Sequence, residues 1–127
     1  MENLGGAARR WAATWAEAWP RGDADAIAAL YTDDAAYRAL AFRTVDSPSD
    51  YLRRSFGEES DIRCWFGEPV VSGRRAAIEW WGSWVEDGRE LTLAGVTMLR
   101  FDDEGKVVDH RDYWNEAPGR IEPYPGW

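Results

Sequence analysis

At 127 residues with a formal net charge of −8, the chain is sized for one domain and carries a field that repels phosphate backbones and anionic membrane surfaces. Its arginines come in isolated pairs (Arg9-Arg10, Arg53-Arg54, Arg74-Arg75) rather than clusters, so neither nucleic acid nor a membrane is an expected partner. One cysteine, Cys64, and one histidine, His110, exclude an internal disulfide and cysteine- or imidazole-rich metal sites; with no glycine-rich phosphate loop either, no metal or cofactor is implied.

The chain is 45% hydrophobic, enough for a core, and nine tryptophans exceed what packing alone asks of this length. Such large flat surfaces either fill a core or line a concave site. The first residues carry no basic region and no long apolar run, so the expectation is a soluble, cytoplasmic protein.

In chain order, residues 6–19 read as a helix in which Ala7, Trp11, Trp15 and Trp19 recur every four positions and share one face. Pro20-Arg21-Gly22 ends it, and Asp23 caps a second helix whose apolar stripe is Ala24, Ile27, Ala28 and Tyr31. Residues 35–44 suit a first strand. Ser47-Pro48-Ser49-Asp50 then reads as a helix start, with Ser47 as cap and Pro48 in the first turn. The third helix turns Tyr51, Leu52 and Phe56 inward, and Glu58, Glu59 and Asp61 mark its exit.

Four extended runs follow, at 62–71, 74–86, 90–101 and 106–115, separated by Ser72-Gly73, Asp87-Gly88 and Glu104-Gly105. Three helices before an antiparallel meander make an α+β plan, with the sheet curled over the helices to cover their apolar stripes. The acidic run Asp102-Asp103-Glu104 reads as a solvated turn. An irregular tail occupies about 117–127, where Tyr124 and Trp127 suggest that it packs on something.

This order resembles the nuclear transport factor 2-like superfamily, a cone-shaped α+β fold. The likeness lies in "GDADAIAALYTDDAAY" (22–37), similar to the second helix and first strand of ketosteroid isomerases and SnoaL-like proteins, and in "GVTMLRFDDEGKVVDHRDYWN" (95–115), similar to their last hairpin. It implies one SnoaL-like domain over 1–127, with a curved antiparallel sheet wrapped around the three helices. It also orients the strands: His110, Asp112 and Trp114 face into the cone, as do Thr97, Trp80 and Trp84, with Val107, Glu79 and Trp81 outside.

The resemblance implies different chemistries unequally. Ketosteroid isomerases need a carboxylate base, a tyrosine and a protonated acid; the matching positions here are Ala39, Trp15 and Thr97, and only the supporting tyrosine, Tyr31, remains. SnoaL-like cyclases use an aspartate in a "DHRDW" setting, and "DHRDYW" (109–114) puts Asp112 there. Their second group, a histidine on the preceding strand, is Thr97. An epoxide hydrolase of the limonene type needs two carboxylates and an arginine; Arg43 and Asp112 match part of that, with no second interior carboxylate found.

The catalytic candidates are therefore Asp112, as proton acceptor, and His110. The ligand-binding candidates are Trp15, Tyr31, Tyr37, Trp80, Trp84, Thr97 and Trp114, around a small hydrophobic molecule. Among the helix tryptophans, Trp15 alone is expected to reach the cavity. Acid/base catalysis on a carbonyl compound, non-catalytic ligand binding, and a cone plugged by tryptophans in a module that acts through its dimer surface or its 124–127 tail all stay open, as does an arginine-paired Asp112. Trp81, Met98, Arg100, Arg111 and Tyr113 on the outer face are candidates for a homodimer contact, with Glu79 and Arg111 as an ion pair.

Overall fold

A computed structural model describes residues 4–127. Helix α1 (Leu4–Ala18) buries Ala7, Ala8, Trp11, Ala12, Trp15 and Ala18 along one face, following the four-residue spacing of its large side chains. The chain leaves it through Gly22, whose φ of 67° suits glycine. Asp23 then caps α2 (Ala24–Ala28) by accepting from the Ala26 N–H at 3.1 Å. Helix α3 (Pro48–Glu58) begins as its sequence requires, with Ser47 accepting from the Asp50 N–H and Pro48 in the first turn.

The strands are β1 (Tyr31–Ala39), β2 (Ser60–Phe66), β3 (Val70–Ser72), β4 (Arg75–Glu86), β5 (Arg89–Phe101) and β6 (Val107–Pro118). They form one unclosed sheet in the order β1-β6-β5-β4-β2, with β3 also on β4. The sheet is mixed rather than wholly antiparallel as expected: β2 to β6 pair antiparallel, and β1 runs parallel to β6. The α+β cone of three helices and a curved sheet is the expected one.

Four boundaries differ from the sequence reading, one being the end of β6, which runs to Pro118 instead of stopping near 115. The second helix stops early and β1 begins at Tyr31, because Tyr31 pairs with Val107 and the Val107 N–H donates to the Leu30 carbonyl at 2.9 Å. Pairing with a distant strand overrides the local helical stripe. The chain turns out of β1 at Leu40 (φ 77°), so residues 41–45 are an exposed loop rather than strand. The expected strand at 62–71 is two, broken around Pro69, which has no N–H for the ladder.

On the inner face Ile78, Trp80, Trp84, Thr97, Leu99, Phe101, His110 and Asp112 are all buried, as the alternation requires. Val107 also faces in, contrary to expectation, because a register shift between Arg100 and Phe101 reverses the parity at the start of β6. Gly82 lets α1 approach β4: a Cβ there would lie within 2.8 Å of Trp19 Cζ3.

The outer face is partly covered by the tail after β6. Arg120 donates to the Ser83 carbonyl (3.3 Å) and Oγ (3.2 Å) and pairs with Asp61 and Glu90. Tyr124 meets Trp81 edge-on at 6.0 Å, and Trp127 packs over Gly67. Trp81 is thus covered by its own chain, where a second chain was expected. Arg111 pairs with Asp109, not Glu79, since the register sets Glu79 level with Val96 and Tyr113. No helix among the described residues is long and apolar enough to cross a membrane.

Candidate functional site

Between the helices and the inner sheet face lies a cavity of about 260 Å³. Of the residues singled out from the sequence, Trp15, Tyr37, Trp80, Trp84, Thr97, His110, Asp112 and Trp114 line it. Tyr31 does not; it sits one layer behind, against His110. Trp11 and Trp19 reach the cavity alongside Trp15, so the whole α1 stripe forms a wall rather than one member of it. Helical spacing that turns all three rings to one face also turns all three to the same space.

A chain of hydrogen bonds fixes the floor. Trp11 and Trp15 donate their indole N–H groups to the Tyr31 hydroxyl oxygen at 2.9 and 3.3 Å. Indoles only donate, so the Tyr31 O–H is turned toward His110 Nδ1, 2.8 Å away. His110 then carries its proton on Nε2 and donates to Asp112 Oδ1 at 2.8 Å. From the other side, Trp80 donates to Thr97 Oγ1 (2.8 Å), and Thr97 donates to the same Oδ1 at 2.6 Å. Donor-only tryptophans at both ends set the direction of every proton between them. Asp112 Oδ1 receives both chains, leaving Oδ2 as the oxygen available to the cavity.

Burial makes this arrangement rigid: His110 and Thr97 are 1% exposed and Asp112 5%. Residues two apart on a strand have Cα atoms about 6–7 Å apart, and the side chains of His110 and Asp112 close that gap on one face. Tyr37 stacks on the His110 ring at 3.7 Å between centroids, and Tyr51 stacks on Tyr37 at 4.3 Å. Burial, helped by the Asp112 charge, raises the Tyr31 and Tyr37 hydroxyls well above the ordinary phenol value and pushes Tyr51 up to about 12. Arg43 is not paired with Asp112; its guanidinium lies 5.1 Å over the Trp114 ring.

The sequence reading missed Glu59, which lines the same cavity and is the second interior carboxyl group. Trp19 donates to its Oε1 at 2.8 Å. Burial raises its carboxyl to about 7, with the Glu86 and Glu58 charges adding to the rise. Glu59 closes α3 in an extended conformation (φ −106°, ψ 140°), so helical spacing gave no hint of its direction. Among the described residues no group of three His, Cys, Asp or Glu side chains is placed to hold a metal ion.

The fold recurs in solved structures. A protein of ketosteroid isomerase-like fold from Catenulispora acidiphila, in complex with trimethylamine, superposes with a TM-score of 0.71 at 19% identity, over 81% of this chain and 83% of that one. An LEH-like epoxide hydrolase from M. tuberculosis gives 0.71 at 19% identity over 87% and 84%. SalBIII, an epoxide hydrolase/cyclase-like enzyme of pyran ring formation in the polyether salinomycin, gives 0.80 at 15% over 94% and 100%. A search of curated protein sequences finds no match. The SnoaL-like domain profile matches residues 9–110, most of the described chain, and the protein therefore belongs to the SnoaL-like domain family.

Proposed function

We propose that this chain is a SnoaL-like enzyme, cytoplasmic, that moves a proton on a small hydrophobic carbonyl compound in a cyclase- or isomerase-type reaction. The observation that carries the reading is the proton order around Asp112. Two donors hold Oδ1, so Oδ2 is a fixed acceptor at the edge of an aromatic-lined cavity. Oδ2 would take a proton from the carbon beside the carbonyl. Negative charge then moves to the carbonyl oxygen, where the Tyr37 hydroxyl, kept protonated by burial, is the donor we assign. The carbanion closes on a second carbonyl, whose oxygen takes the proton back from Oδ2, or recovers that proton at another carbon; either way Asp112 returns to its starting form.

His110 and Thr97 act in this scheme as positioning residues, since both of their hydrogens point to Asp112. The likeness in fold to an epoxide hydrolase and a cyclase-like enzyme supports chemistry on a molecule enclosed by the cone. A second copy would dock on the outer face around Met98, Arg100, Arg111 and Tyr113, which the tail leaves open.

The same commitment of His110 and Thr97 also favours a second reading, a non-catalytic binding module in which Asp112 is only a hydrogen-bond acceptor. Exchange of the α-protons of 2-tetralone in D₂O, followed by NMR, separates the two. Catalysed exchange is expected above the buffer rate, and Asp112→Asn should lower it about a hundredfold or more with the fold intact by circular dichroism. Equal exchange by both proteins would sink the catalytic assignment.

A further inference from the structure

The cavity has a charge that the chain does not balance. Five carboxyl side chains line it (Glu58, Glu59, Glu86, Asp112 and Glu116) against two guanidinium groups, Arg43 and Arg89. Among the described residues none of these five acids is in an ion pair with an arginine or lysine; Asp112 meets His110 and Thr97. Asp112 is nine-tenths buried and, among the described residues, its hydrogen bonds from side chains all go to Oδ1, in a place where charges are ordinarily paired.

The walls around these acids are aromatic, and they meet at steep angles. Trp19 lies 5.7 Å from Trp84 at 55° and 6.0 Å from Trp80 at 79°, and Trp80 lies 6.3 Å from Trp114 at 60°. Rings crossed in this way do not cover each other's faces. Two of them also hold the acids in place: Trp19 donates to Glu59 at 2.8 Å and Trp84 to Glu86 at 3.2 Å. One ring already engages a cation, since Arg43 sits over Trp114. Aromatic faces bordered by carboxylates are the surroundings in which organic ammonium ions are held, by attraction to the ring quadrupoles and to the negative field.

We infer that the cavity selects a small organic cation, an amine held as its ammonium ion or a quaternary ammonium. Its charged end lies among Trp19, Trp84, Glu59 and Glu86, and the rest extends toward Asp112. This rests on the reading of the cavity as a small-molecule site and adds the charge of the molecule that fills it. It does not depend on Asp112 being a base.

Choline and its uncharged isostere 3,3-dimethylbutan-1-ol have nearly the same shape, so the pair isolates the charge. In calorimetric titrations of the whole chain at pH 8, where the Glu59 carboxyl is ionised, choline should bind about tenfold or more tighter than the alcohol. In the double variant Glu59→Gln, Glu86→Gln that preference should fall below about threefold. Asp112→Asn should lower the preference only by the loss of one of these charges, and should remove proton exchange on 2-tetralone. Equal binding of the two compounds by the parent protein would overturn the inference and leave the proton-transfer reading standing. Loss of choline preference in the double variant with exchange on 2-tetralone retained separates the two claims in the other direction. If neither compound binds, the inference fails.

Discussion

Asp112 and Glu59 border one cavity and are held in opposite ways. Asp112 receives two hydrogen bonds on one oxygen, whereas Glu59 receives one, from Trp19, and sits in the field of Glu58 and Glu86. With its carboxyl near 7 in the folded chain against an ordinary 4.5, Glu59 keeps a proton between those pH values that the unfolded chain has lost. Stability therefore falls as pH rises through this window, by about 2–3 kcal/mol. Glu59→Gln retains an acceptor for Trp19 and removes the charge. Urea unfolding should find it close to the parent near pH 4.5 and about 2 kcal/mol more stable at pH 8; a difference that does not change with pH would refute this. The likeness of residues 109–114 to SnoaL-like cyclases pointed to Asp112, and strand alternation told locally that His110 shares its face. It hid Glu59, whose direction depends on how the chain leaves α3.

At the scale of elements, contact between α1 and β4 rests on an absent side chain. The Trp19 ring lies where a Gly82 Cβ would be. Gly82→Ala should force the indole off the strand, destabilising the fold by about 1–3 kcal/mol, as overpacked core positions do. A shift of under 0.5 kcal/mol in urea unfolding would show that Trp19 moves aside freely. Most elements were legible before the structure: the tryptophan stripe of α1, the Ser47-Pro48 start of α3, and the hairpin at Asp87-Gly88, where both residues have positive φ. The start of β1 was not, because Tyr31 fits a helical stripe equally well and only its partners on β6 decide otherwise. The parity at Val107 failed likewise at a register shift, which no alternating pattern reveals.

For the molecule as a whole, the tail decides what the outer face offers. Arg120 ties it to Ser83, Asp61 and Glu90, and Tyr124 closes over Trp81. Deleting residues 120–127 should uncover Trp81 and strengthen self-association, read as a rise in mass by light scattering at micromolar concentration. An unchanged mass profile would mean that the tail does not compete with a second copy. Tyr113, 42% exposed, stays available in either form. The chain also has one imidazole, and it lies flat against Tyr37 with Asp112 at one nitrogen and Tyr31 at the other. Ring current from Tyr37 shifts the carbon-bound protons of that imidazole upfield. With no second histidine to assign, the two carbon-bound protons of that ring report from the floor of the cavity.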